Sequence, residues 1–75
     1  MSTYEIAQRI RELREVCGYT EEQLAEELGV DAETYKDYEK TGDNIPISVI
    51  YEIANKFKVD FTEIVTGVSA KLDTY

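Results

Sequence analysis

Lys36 and Lys40 sit one helical turn apart in a stretch crowded with carboxylates, since Glu21, Glu22, Glu26, Glu27, Asp31, Glu33, Asp37 and Glu39 all fall between Thr20 and Lys40. At that spacing the two lysines share one helix face, so the chemistry on offer is ionic recognition of a charged partner. Bond-making chemistry has little to work with. There is no histidine, which excludes any His-dependent triad, and one cysteine, Cys17, which leaves a zinc ion a single soft ligand. Cys17 falls on the apolar face of its segment, where a thiol is unreactive. The glycines form no phosphate-cradling loop. DAETYKDYEKTG has a calcium-loop look, but Lys36 stands where the turn needs glycine and Gly42 where the last ligand needs glutamate. The reading is of a non-enzymatic chain with no cofactor and no metal.

The elements that must position these charges are helical. Ile6, Ile10, Leu13 and Cys17 repeat every three to four residues, and Ser2 or Thr3 can open that helix, with Glu5 at capping-box distance from Ser2. Thr20 and Gln23 form a second capping box for a helix running to Leu28, with Leu24, Ala25 and Leu28 inward. Asp31 caps a third, running toward Gly42, whose buried pair is Tyr35 and Tyr38. After TGDN, Pro46 suits a first helical turn, and Ile47, Ile50, Ile53, Ala54 and Phe57 mark a fourth helix. Asp60 and Glu63 open a short fifth with Phe61, Ile64 and Val65, stopped by Gly67. No stretch alternates as a strand does. The expectation is all-α, one domain over 1–67 and a tail or linker over 68–75.

Turning 100° per residue from Tyr35, Glu33, Lys36, Asp37 and Lys40 come out opposite the buried pair, a face with two acids and two lysines. Glu39 falls at the edge of the buried stripe and needs a partner there, for which Arg14 is the candidate. A plain solvated face is the alternative reading of the third helix, with Glu33–Lys36 and Asp37–Lys40 pairs at i, i+3. Arg9 and Arg11 add positive charge on the first helix, also compatible with a solvated face.

A helix, a turn at Gly29 and a second helix, spanning 20–39, is the layout in which one helix crosses a nucleic-acid backbone and the next enters the major groove. The net charge of −8 opposes that use, because nucleic-acid binders carry a basic footprint. No apolar run reaches the roughly 18 residues of a membrane span and no greasy leader opens the chain, which predicts a cytoplasmic protein.

The string RIRELREVCGYTEEQLAEELGVDAETYKDYEKTG, with the later IYEIANKFKVD, resembles the lambda-repressor-like, Cro/C1-type (XRE) helix-turn-helix family over about residues 5–67. DNIPISVIYEIANKFKVDFTEIVTG is similar to a bacterial subgroup in which this domain precedes a cupin barrel. The resemblance implies a compact five-helix bundle, double-stranded DNA as partner, action as a homodimer or within a longer protein, and a cupin sensor downstream of these residues. It implies groove-facing Ala32, Glu33, Lys36 and Asp37, backbone contacts at the start of the second helix, where Glu21 stands, and around Lys40 to Asn44, and an Arg14–Glu39 pair joining the first and third helices. An acidic interaction module on the same fold is the alternative.

Glu21 and Glu22 are the expected obstacle. A helix N-terminus is a ready anion site. Two carboxylates there stabilise the helix by about 0.3–1 kcal/mol each, and repel a docking phosphate by about 0.6 kcal/mol at about 7 Å in water.

Overall fold

Five helices, with no strand among the described residues, build the protein; the computed structural model describes residues 3–67. The expected tail at 68–75 and the Ser2 cap lie outside them. Helix α1 spans Thr3–Val16, α2 Glu21–Leu28, α3 Ala32–Thr41, α4 Ile47–Phe57 and α5 Phe61–Thr66. Among these elements α1 packs on α3 and α5, α2 on α3 and α4, and α4 on α5.

Local signals explain most boundaries. At α2 the capping box forms in full: the Gln23 N–H donates to Thr20 Oγ1 at 3.0 Å, and the Thr20 N–H donates to Gln23 Oε1 at 2.9 Å. Gly29 ends that helix at φ 76°, a left-handed conformation that side chains resist, and its N–H reaches back to the Glu26 carbonyl at 3.1 Å. Lys58 takes the corresponding role after α4, at φ 60°, and a non-glycine residue there costs about 1–2 kcal/mol. Asp31 sits at the N-cap of α3 as expected, but its side chain makes no capping hydrogen bond.

Ile10, Leu24, Tyr35, Ile53 and Ile64 are the largest fully buried side chains, one from each helix. Burying each aliphatic one stabilises by about 1.5–3 kcal/mol, more than an exposed ion pair contributes. The apolar core therefore holds the fold.

Two expected core positions fall elsewhere. Cys17 is exposed: α1 ends at Val16, so the apolar period no longer carries Cys17 inward. Ile47, the first residue of α4, is 63 % exposed, and Val49 is buried instead. Tyr51 is also exposed, stacked on Phe61 with ring centroids 4.2 Å apart, as is Tyr4. Tyr19 is half-buried, edge-on to Phe57 at 5.5 Å, with Lys56 lying 5.6 Å over its ring. Tyr75 lies outside the described residues.

Candidate nucleic-acid interface

Helices α2 and α3, joined by Gly29, Val30 and Asp31, present α3 with Tyr35 and Tyr38 buried and Glu33, Lys36, Asp37 and Lys40 exposed. Ala32 is half-buried, packed against the core cluster, and Asn44 is exposed beyond the end of α3. The chain leaves α3 in an ordered turn. Thr41 Oγ1 donates to the Asp37 carbonyl at 3.3 Å and accepts the Asp43 N–H at 3.1 Å.

Behind this face lies the buried ion pair. Arg14 is only 8 % exposed. Its Nε donates to Glu39 Oε2 at 2.6 Å and its Nη2 to Glu39 Oε1 at 3.1 Å, a two-pronged grip from α1 onto α3. Its Nη1 donates to the Tyr19 carbonyl at 2.7 Å, and the Tyr35 hydroxyl donates to Glu39 Oε2 at 2.5 Å. No buried side-chain nitrogen or oxygen among the described residues lacks a partner. The hydrogen bond to Glu39 raises the Arg14 pKa against the desolvation that lowers it. Burial, with Glu39 alongside, holds the Tyr35 phenol far above its ordinary value.

In front of it, Arg11, Arg14, Glu21, Lys36, Glu39 and Lys40 line an open cleft of about 330 Å³ between the end of α1, the start of α2 and α3. Lys40 forms no ion pair with a described residue. Each of the other cations in the cleft does. Arg11 Nε is 3.2 Å from Glu15, and Lys36 Nζ is 3.1 Å from Glu22 Oε2. The Lys36 contact replaces the i, i+3 pairing with Glu33 expected of a solvated helix. It raises the Lys36 pKa, chiefly through the hydrogen bond to Glu22. The Glu22 carboxyl is lowered first by its own backbone N–H and then by Lys36. Glu21 lines the cleft half-buried but makes no ion pair among the described residues.

Arg9 turns away from this surface. Its Nη1 donates to the Ile64 and Val65 carbonyls at 3.0 and 3.3 Å, tying α1 to the end of α5, and its Nη2 reaches Glu5 at 3.4 Å. Its charge belongs to the scaffold rather than to the open face. On the far side, Glu27 pairs with Lys56 and joins α2 to α4. Neither tie shows in sequence, because both cross between helices distant in the chain.

The α2–turn–α3 unit on an all-α frame defines a helix-turn-helix domain. A family model described as helix-turn-helix matches residues 10–64, and the chain belongs to that family, the Cro/C1-type (XRE) DNA-binding domains of transcription regulators. No curated protein matches the chain, and no solved structure does. No helix among the described residues is long and apolar enough to cross a membrane.

Proposed function

We propose that this chain is a sequence-specific DNA-binding domain in which α3, Ala32–Thr41, enters the major groove, acting as a homodimer or within a longer regulator. The observation that carries the reading is the exposed row Glu33, Lys36, Asp37 and Lys40 on the second helix of the motif. Ala32 and Asp37 flank Lys36 as base-edge neighbours, while Lys40, Asn44 and the start of α2 at Glu21 lie toward the phosphates. Resemblance of the α4–α5 segment to cupin-linked regulators supports a sensor barrel as the remainder of such a protein.

With about three phosphates neutralised, the log–log salt slope is near −2.7, shallower than that of proteins making six to ten contacts. A single copy binds weakly. Linking two copies raises avidity through effective concentration.

The test is salt-titrated binding of the isolated chain, and of a forced dimer, to a random-site duplex pool. Enrichment of a sequence by the dimer at low salt is the expected result. If neither the single chain nor the dimer enriches any sequence, the DNA reading falls and the acidic interaction module replaces it, an alternative favoured by the pairing of Arg11, Arg14 and Lys36 with carboxylates. Within a binding protein, Lys36→Ala changes which sequences are selected and Lys40→Ala weakens all of them alike. Identical profiles for the two variants would remove that division of labour.

A further inference from the structure

Two groups that could meet DNA come together at one carboxylate. The first turn of α2 presents backbone N–H groups at a helix N-terminus, where an anion is favoured. Lys36 is the exposed cation of α3 whose ammonium lies against that turn, 3.1 Å from Glu22 Oε2. Glu22 therefore holds, at the mouth of α2, the cation that the groove-facing row would turn toward DNA.

We propose that Glu22 is a positioning residue that occupies Lys36 in the free protein, so that DNA binding proceeds by exchange of this carboxylate for an acceptor in the groove. This rests on the DNA-binding reading above and deepens it.

Three features of the contact carry the proposal. It bridges the two helices of the motif, so it fixes where the Lys36 ammonium points rather than simply neutralising it. Lys36 has a nearer choice in sequence, Glu33, one turn back on its own helix, yet the fold delivers it to Glu22. The pair is exposed on both sides, 44 % at Lys36 and 63 % at Glu22, so an incoming acceptor can reach it. An exposed pair of this kind is weak enough to open under modest competition. Both groups are charged near neutral pH at their ordinary values, and their contact lowers the Glu22 carboxyl and raises the Lys36 ammonium further.

Exchange has a distinctive salt signature. When the Lys36 charge leaves Glu22 for the DNA groove, the counterion released from DNA is offset by a cation drawn to the freed carboxylate. The wild-type salt slope is accordingly shallower by up to about one ion than its cationic contacts would give. Removing the carboxylate restores the missing ion.

The experiment compares the 75-residue chain with Glu22→Gln, Lys36→Ala, the double variant Glu22→Gln/Lys36→Ala, and Glu52→Gln as a charge-matched change on exposed α4. Each, as the single chain and as the forced dimer, is titrated against the random-site duplex pool and then against the most enriched duplex across a salt series. Thermal melting verifies that each variant is folded. Glu22→Gln is expected to bind about two- to fivefold more tightly, the scale of an exposed pair, with a slope steeper by about one ion. Glu52→Gln changes both less, and the gain disappears when Lys36 is also absent.

A gain equal to that of Glu52→Gln, or one that survives in the double variant, overturns the proposal by reducing the effect to net charge. In that case wild-type enrichment remains and the DNA reading stands. Enrichment by Glu22→Gln but by neither wild type nor Glu52→Gln supports the exchange. If no variant enriches any sequence, both readings fall together.

Discussion

Arg14–Glu39 and Lys36–Glu22 are both cation–carboxylate contacts onto α3, with Arg14, Glu39 and Lys36 lining one cleft, and they differ in almost everything that decides their role. The first is buried, two-pronged and fully hydrogen-bonded, with Tyr35 and the Tyr19 carbonyl completing it. The second is a single exposed contact. Losing one member of the first strands a charge away from water, whereas losing one member of the second leaves a charge that water solvates at once. Burial, not the identity of the charges, separates a contact that builds the domain from one that a ligand can exchange.

The largest effect expected from breaking this contrast is on stability. Arg14→Ala or Glu39→Ala should cost about 3–5 kcal/mol, because the survivor stays buried and unpaired. A domain of this length has on the order of 4–11 kcal/mol in all, so either variant loses a large share of its folded population in a urea titration. An unchanged midpoint would remove the structural role of the pair. Replacing both at once, with Arg14→Met and Glu39→Leu, should cost less than either single change, since nothing charged is left behind. A double variant less stable than both singles would mean that the ionic grip itself, rather than the penalty of breaking it, holds α1 to α3.

An alkaline titration gives the next effect in size. The Tyr35 pKa is raised in the fold, so its stabilising contribution is complete below the ordinary phenol value of about 10 and is lost as pH rises above it, where the unfolded chain ionises and the folded one does not. Tyr35→Phe should flatten this alkaline limb, measured by chemical denaturation between about pH 9 and 11. An equally steep limb in the variant would assign it to other tyrosines.

The smallest stability effect belongs to the exposed pair. Glu22→Gln and Lys36→Ala should each cost no more than about 1 kcal/mol, as exposed pairs and helix-terminal carboxylates contribute little, while changing DNA binding in opposite directions. A loss of stability comparable to that of Arg14→Ala would erase the distinction between the two contacts.

Much of the scaffold is legible in the sequence because it is local. The Thr20–Gln23 box, the left-handed Gly29 and the inward Tyr35 and Tyr38 depend on residues within one or two turns of each other. Glu39 announces itself by lying at the edge of a buried stripe, which makes a partner necessary. Lys36 carries no such signal: Glu33 is at pairing distance along the helix, and only the docking of α2 on α3 brings Glu22 closer. Arg9 reads as a solvated charge for the same reason, since the α5 carbonyls it caps lie far along the chain. Cys17 and Ile47 fit the apolar period yet lie outside the core, because one stands past the end of its helix and the other is the first residue of its own.

The obstacle expected at both Glu21 and Glu22 also divides once the helices are packed. Glu21 lines the cleft without an ion-pair partner among the described residues, whereas Glu22 meets Lys36. By itself, the sequence determined the helices, the capping boxes at Thr20 and Asp60 and the motif, because backbone hydrogen bonding and 3.6-residue periodicity act over a few residues. Tertiary structure alone decided which carboxylate each cation meets and which charges water can reach, because those depend on how close helices from distant parts of the chain approach.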